Sequence, residues 1–412
     1  MNASADRQPK RRWLALLGIG EDGLAGLSDT ARTLIAGAEL VVGGKRHLTL
    51  AQDAIQGKTL TWPSPIGDAF PEILAHRGRP IVVLASGDPF FYGIGKQLVE
   101  VVPADEILCL PQPSAFSLAA SRLGWALQDT ALVTLHGRPL EGIIRHLQPG
   151  ARILALSWNG ETPARLAALL TARRLGTASL TVLEALGGPR ERVRSARADA
   201  FDLEDIDDLN TLAVALPDRV TGRTLPISSG LDDHLFESDG QLTKREIRAV
   251  TLSSLAPHPG ELLWDIGLGA GSIAIEWLLR HPAMRAIGIE ERNDRAERAE
   301  RNAAALGTPE LRIVTGRAPD ALAGLPAPDA VFIGGGMGEP GVFEAAWTAL
   351  KPGGRLVANA VSLKTEQRML DLHQTLGGDL VRLDVARAGP IGNERGWSPA
   401  RPVTHWRIVK PC

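Results

Sequence analysis

Short apolar runs closed by glycine recur along this chain with helical stretches between them, an alternation that predicts an α/β fold with parallel sheets covered by helices. In the first half the runs Trp13 to Gly18, Leu40 to Val42, Ile81 to Ala85, Glu106 to Leu110, Ala131 to Leu135, Arg152 to Leu156, Leu180 to Leu183 and Leu209 to Leu216 read as strands. Residues 217 to 242 carry proline, glycine, serine and scattered charge without a sustained period, the composition of a linker. A second alternating series starts at Leu262 to Ile266 and continues through Arg285 to Ile289, Leu311 to Val314, Ala330 to Ile333 and Arg355 to Ala358. Two late runs, Val381 to Val385 and Val403 to Val409, predict an antiparallel pair with 386 to 402 as the loop between them. The expected organisation is a disordered tail over 1–12, one domain over 13–216, a linker over 217–242 and a second domain over 243–412.

A length of 412 residues agrees with two domains, since one hydrophobic core seldom serves so long a chain. A formal net charge of -2 gives no electrostatic signature of nucleic-acid binding, so the expected partner is a small molecule. The only cysteines are Cys109 and Cys412, too few for a disulfide framework or a cysteine zinc site, and no metal is expected. The apolar start, Trp13 to Ile19, is too short to span a bilayer, which points to a cytoplasmic protein.

Candidate chemistry is concentrated in glycine loops. In the second half a strand runs into Asp265, Gly267, Gly269, Gly271 and Ser272, and a helix follows from Ile273 to Leu279. Such glycines let the backbone turn sharply and approach a ligand, while the helix start supplies unpaired N–H groups. Glu290 closes the next strand, where a carboxylate can hold both hydroxyls of a ribose. These features also describe a nicotinamide site. Three details favour S-adenosylmethionine: the G-x-G-x-G spacing behind Asp265, whose charge suits a cationic methionine end; the terminal antiparallel pair; and Asp329-Ala-Val-Phe-Ile opening into Gly334-Gly335-Gly336. Lys244, Arg245 and Arg248 upstream are read either as a solvated face or as a clamp for substrate carboxylates.

In the first half, Gly18-Ile-Gly20-Glu-Asp-Gly23 spells a dinucleotide fingerprint, but Leu24 to Leu27 intervene before a helix from Asp29 to Gly37 capped by Ser28, so the fingerprint is discounted. Gly87, Asp88 and Pro89 shape a turn between a strand and a helix expected from Ile94 to Val101, where side chains face a cleft. His136 and Arg138 stand at another strand end.

Taken in order, Gly18-Ile-Gly20, Ser86-Gly-Asp-Pro-Phe-Phe-Tyr-Gly93, Pro113-Ser-Ala-Phe-Ser, Leu135-His-Gly-Arg138 and Glu184-Ala-Leu-Gly187 resemble the tetrapyrrole (corrin/porphyrin) methylase family, and the Leu-His-Gly-Arg segment resembles its C5-methylating branch. Many members carry Gly-Pro-Gly-Asp where this chain has Gly20-Glu-Asp-Gly23. The second half, with Thr243-Lys-Arg-Glu-Ile-Arg248, Asp265 to Ser272 and Asn359-Ala-Val, is similar to class I methyltransferase domains that methylate C15 and decarboxylate. The resemblance implies an N-terminal tetrapyrrole methylase fold followed by a C-terminal Rossmann-like class I fold, in a homo-oligomer. It implies S-adenosyl-L-methionine in each domain, held by Gly18, Gly20, Gly87, Asp88, Pro89, Ser114 and Ala115 in the first and by Asp265, Gly267, Gly269, Gly271, Ser272, Glu290, Ala318 and Gly334 in the second. Lys244, Arg245, Arg248, His136 and Arg138 are the candidate contacts to the tetrapyrrole. The implied reaction belongs to cobalamin biosynthesis: precorrin-6B is methylated at C15, with loss of carbon dioxide from the ring C acetate, and then at C5 to give precorrin-8. The alternatives are a nicotinamide oxidoreductase, a nucleic-acid methyltransferase, which the absence of a basic face disfavours, and a non-catalytic tetrapyrrole-binding module.

Overall fold

The computed structural model describes residues 12–412, so the expected tail lies outside the described residues except for Arg12. The described residues divide into two compact units, one of residues 12–138 and 148–223, the other of residues 139–147 and 224–412.

The first unit opens with β1 (Leu14–Ile19), α1 (Asp29–Ala36), β2 (Leu40–Gly43), α2 (Lys45–Ala51), β3 (Lys58–Thr61), α3 (Phe70–Ala75), β4 (Ile81–Ser86), α4 (Gly95–Leu98), β5 (Ile107–Leu110) and α5 (Ala115–Leu123). Its five strands are all parallel in the order β3-β2-β4-β1-β5. The period of two along β1 sends Leu14 and Leu16 to one face, against Ile73 of α3 and Leu98 of α4. Ala15, Leu17 and Ile19 go to the other, against Ala31 and Ile35 of α1. Ser28 caps α1 by accepting from the Ala31 amide, and the glycine-rich turn ahead of it is a 3-10 segment, which leaves the discounted fingerprint without a helix start.

The loops leaving the adjacent strands β1 and β4 therefore run to opposite faces, which makes this carboxyl edge a topological switch point, the place where open α/β sheets bind ligands. The crossing is tight. A Cβ added at Gly18 would lie 1.9 Å from the Gly87 carbonyl oxygen, so only hydrogen fits there.

A second sheet follows, built of β6 (Ala131–Thr134), β7 (Arg152–Leu156), β8 (Ser179–Glu184), β9 (Arg192–Arg197) and β10 (Asn210–Ala215), with α6 (Thr162–Ala172) between β7 and β8. Its order is β6-β7-β10-β8-β9, and only β6 and β7 are parallel. This corrects the expectation of parallel sheets throughout. Phe116, Ala119 and Ala120 of α5 pack on Leu154, Leu183 and Ala213 of this sheet.

The second unit contains α7 (Arg245–Leu255), β11 (Leu262–Ile266), α8 (Ser272–Leu278), β12 (Arg285–Glu290), α9 (Asn293–Ala305), β13 (Arg312–Thr315), β14 (Ala330–Ile333), α10 (Val342–Ala349), β15 (Arg355–Ala360), α11 (Leu363–Leu376), β16 (Asp379–Leu383), β17 (Ala386–Ile391), β18 (Glu394–Pro399) and β19 (Val403–Val409). Seven strands form one sheet in the order β13-β12-β11-β14-β15-β19-β16, parallel except for β19, which is antiparallel to both neighbours. The expected terminal pair is β16 with β19. The segment between them is itself a hairpin, β17 with β18. The switch point falls between β11 and β14, and it repeats the crossing of the first unit: a Cβ added at Gly267 would lie 2.7 Å from the Gly335 amide nitrogen.

The stretch expected as a linker is divided. From Thr224 onward it belongs to the second unit, with Leu225, Leu231, Phe236 and Leu242 buried. It wraps the unit with a single short 3-10 turn, so no helical or strand period marks it. No helix among the described residues is long and apolar enough to cross a membrane.

Both crossings are open to test. Gly18→Ala and Gly267→Ala are each expected to destabilise their own unit by about 2 kcal/mol or more through overpacking. Gly389→Ala, where an added methyl meets nothing, serves as the control. Denaturant unfolding read by circular dichroism checks this, and wild-type stability in either crossing variant refutes the constraint.

Candidate active sites

In the first unit the structure brings Gly18, Gly87, Ser114 and Ala115 together at the carboxyl edge. A Cβ on Gly87 would come within 2.9 Å of the Ser114 Cα, so the loops leaving β1, β4 and β5 pack backbone to backbone. Ser114 caps α5 by accepting from the Ser117 amide at 3.1 Å, and the Asp88 carboxylate holds its own turn by accepting from the Phe90 amide at 2.9 Å. Gly20 and Pro89 stand in the same two loops, after β1 and after β4.

Beside these glycines lies a polar cluster that the sequence reading missed. Arg46, in the first turn of α2, pairs with Glu21 of the β1 loop and donates to Ser86 Oγ at the end of β4 (2.9 Å). Arg190 reaches the same glutamate at 3.6 Å. His47 Nε2 is 2.8 Å from Ser86 Oγ, and burial together with the Arg46 charge pushes its pKa down to about 4, so the ring is neutral. The available signal was Gly43-Gly44-Lys45-Arg46-His47, a glycine pair after a strand leading into basic residues. His136 and Arg138 lie exposed in the turn after β6, and among the described residues neither side chain makes a hydrogen bond or ion pair. Glu184 is structural. It is fully buried and bound by Arg192 and Arg194 and by the Asp207 amide; burial alone would raise its pKa, but these partners hold it below the usual value.

In the second unit a cleft of about 820 Å³ opens over the β11/β14 switch point. Asp265, Gly267, Gly269, Ser272, Glu290, Ala318 and Gly334 all line it. Gly271 does not; its Cβ position faces Ala299 of α9, so that glycine serves helix packing. The Glu290 carboxylate accepts from the Gly269 amide (2.8 Å) and the Arg292 amide (3.1 Å), which fixes it at the end of β12. Asp265 is 1% exposed and accepts from the Ala274 amide at the start of α8 (3.0 Å). Burial, with help from the Glu290 charge, raises its pKa to about 8. Expected as a carboxylate facing a cation, it is a neutral acid at pH 7 in the free protein. Asn359, another lining residue, is held by Thr251 and His405 (3.0 and 2.7 Å).

The three basic residues upstream separate. Lys244 lines the cleft; Arg245 does not, and pairs with Asp232 at 2.8 Å. Arg248 is fully buried, donating to Glu276 and Asp233 at 2.8 Å each, and also to the Thr243 and Leu231 carbonyls. Glu276 in turn accepts from the Gly230 and Leu231 amides. Arg248 therefore fastens the wrapping segment to α7 and α8 and cannot clamp a substrate, which corrects that expectation. The arginines that do line the cleft are Arg295, Arg317, Arg387 and Arg401.

Two family models account for most of the chain: tetrapyrrole (corrin/porphyrin) methylases match residues 14–202, and a precorrin methyltransferase domain matches residues 234–410. Fold and sites thus define an enzyme that methylates a small-molecule tetrapyrrole with S-adenosylmethionine as methyl donor. The chain is 56% identical over 97% of its length to the precorrin-6Y C(5,15)-methyltransferase (decarboxylating) of Sinorhizobium sp, covering 96% of that protein. It is 39% identical over 96% of its length to the protein of the same name from Mycobacterium tuberculosis (strain CDC 1551 / Oshkosh), covering all of it. The solved C-terminal domain of precorrin-6Y C5,15-methyltransferase from Rhodobacter capsulatus is 48% identical, with TM-score 0.43, covering 45% of this chain and 100% of that one. The chain belongs to the precorrin-6Y C5,15-methyltransferase (decarboxylating) family, enzymes of cobalamin biosynthesis.

Two consequences are measurable. Arg248→Ala strands the Glu276 carboxylate in the interior, and the second unit is expected to lose roughly 3 to 5 kcal/mol. Chemical denaturation reads this, and a loss confined to substrate binding with stability intact would restore the clamp. For Asp265, the folded protein keeps the proton up to about pH 8 whereas the unfolded chain releases it near the usual carboxylate value. Its stabilisation is therefore complete below that lower value and is lost as pH rises through about 8. Asp265→Asn should flatten this decline between about pH 5 and 8; parallel thermal-unfolding profiles for wild type and variant would contradict the raised pKa.

Proposed function

We propose that each unit carries its own S-adenosylmethionine site, the second methylating precorrin-6B at C15 with loss of the ring C acetate carboxyl, and the first then methylating C5 to give precorrin-8. The observation that carries this reading is the repeated glycine crossing, Gly18 against Gly87 and Gly267 against Gly335, which builds a bare backbone edge at the switch point of each sheet. Other features fit the donor in the second cleft. Glu290 has lone pairs left for ribose hydroxyls, Gly269 presents open backbone, and a buried acid at Asp265 can release its proton to balance an incoming cation.

Bound there, the donor supplies a methyl cation equivalent to an electron-rich carbon. The chain contributes placement, since holding two reactants in line removes much of the barrier. Ala318, Phe332, Val361, Leu383, Val385 and Val403 give the cleft an apolar side, which favours a carboxylate dispersing its charge as carbon dioxide leaves. At C5 no carboxyl departs and the carbon must shed a proton. In the first crevice Ser86 Oγ, which accepts from Arg46 and lies 2.8 Å from His47 Nε2, offers that proton a polar route out of the site. The two cysteines are unpaired, which supports a cytoplasmic setting, and the same proposal includes a homo-oligomer, checked by light scattering.

Mass spectrometry of turnover tests the division. Glu290→Ala is expected to lose decarboxylation and the C15 methyl by at least about tenfold, as for one charge-assisted contact. The same variant supplied with the C15-methylated, decarboxylated intermediate should still add the C5 methyl. Failure at that second step, in a folded variant, sinks the independent sites.

A further inference from the structure

The rim of the second cleft holds arginines of two kinds. Arg295 is built in: it donates to Asp239 at 2.8 Å with Arg298 beside it, and all three side chains are half-buried. Arg317, Arg387 and Arg401 differ: Arg317, in the loop after β13, forms an exposed pair with Glu339 at 3.0 Å. Arg387, on β17, pairs with Glu246 on α7, and both partners are about half exposed, 48% and 46%. That pair is the one hydrogen bond or ion pair of the Arg387 side chain among the described residues. Arg401, just past β18, is exposed and has no partner among them. Both arginines sit at the base of the hairpin, next to the apolar edge formed by Val385 and Val403. An exposed pair of this kind contributes little to stability, so an incoming carboxylate can replace Glu246 at small cost.

We infer that Arg387 and Arg401 form the subsite for peripheral carboxylates that the tetrapyrrole retains, and that Glu246 is a built-in competitor occupying this subsite until substrate arrives. This rests on the second cleft being the tetrapyrrole site. The chemistry separates two classes of carboxylate. A guanidinium gripping the acetate that departs would hold charge on its oxygens and oppose loss of carbon dioxide. The arginines therefore belong to the side chains that stay, while the acetate that leaves faces the apolar edge. Planar, bidentate recognition also explains arginine at these positions instead of lysine.

The competitor predicts opposite signs for its two members. In the full-length protein, dissociation constants are measured for uroporphyrin, a stable octacarboxylate, and KM and kcat for the precorrin. Glu246→Gln is expected to tighten uroporphyrin binding and lower KM about threefold to tenfold with kcat little changed, because Arg387 is set free. Arg387→Gln and Arg401→Gln should each weaken binding about tenfold, the size of one lost charge-assisted contact. Adding Glu246→Gln to Arg387→Gln should bring no further gain. If Glu246→Gln weakens binding as Arg387→Gln does, the pair is a structural latch and the inference falls. Unchanged affinity in all three variants overturns it equally. Arg401→Gln removes no contact, so its result stands even if the paired variants fold poorly. A wild type that binds uroporphyrin with this pattern of signs yet turns over no precorrin would refute the proposed function and leave the subsite in place.

Discussion

Two backbones crossing at glycine is the contact on which the rest of this molecule depends. In each parallel arrangement the loops leaving two adjacent central strands turn to opposite faces, and they can do so only by passing within van der Waals distance of each other. A side chain at Gly18 or Gly267 would wedge them apart. What the glycines create is a floor of bare amides and carbonyls at the carboxyl ends of the strands, flanked by side chains that adjacent loops deliver. In the second unit these are Asp265 and Glu290. In the first they are Glu21, Arg46, His47 and Ser86. The two sheets share no strand order, so one steric solution serves two different topologies.

Around that floor the buried charges divide into those that hold the fold and one poised to respond. Arg248 with Glu276, and Glu184 with Arg192 and Arg194, saturate their hydrogen-bonding capacity inside the protein, and removing one member leaves the other costly. Asp265 has one amide donor and no cation, so burial wins and the group keeps its proton. The difference is partner count. A buried carboxylate with three donors is architecture, whereas one with a single donor has capacity left for a ligand.

Legibility of the sequence followed burial on both faces. The central strands β7, β11 and β14 coincide with their predicted bounds because predominantly apolar runs mark them. The edge strands β3, Lys-Thr-Leu-Thr, and β9, with arginines at 192, 194 and 197, carry no such run, so the pattern does not mark them. The hairpin of β17 and β18 is solvent-exposed along most of its length, so its pattern reads as a loop. The helix expected over Ile94 to Val101 is confined to Gly95–Leu98. Arg248 is the instructive case. Charge suggested a surface clamp, yet Arg248, Thr251, Leu252 and Leu255 recur at the spacing of one helix face, all buried. The periodicity placed it inside; its charge argued otherwise, and Glu276, 28 residues away, was beyond any local pattern.

The proposed division of labour also accounts for why the two sites differ in their acid–base groups. When a carboxyl leaves, the electron pair of the broken carbon–carbon bond enters the macrocycle and is the pair that takes up the methyl cation. Charge balances, with only an internal relocation of hydrogen, and the enzyme need not export a proton. A cleft with an apolar edge and an amide at Asn359 suits that chemistry. Methylation at C5 without decarboxylation replaces hydrogen by methyl, so a proton must leave through the protein or water. The crevice that carries a hydroxyl, Ser86, hydrogen-bonded to both Arg46 and His47 is the one in the first unit. The histidine in the second unit nearest to a comparable role, His405, is committed to Asn359 and Ser254 beneath the cleft. Its lowered pKa, from burial, keeps it neutral and structural. Proton demand, more than cofactor geometry, is thus where the two sites part.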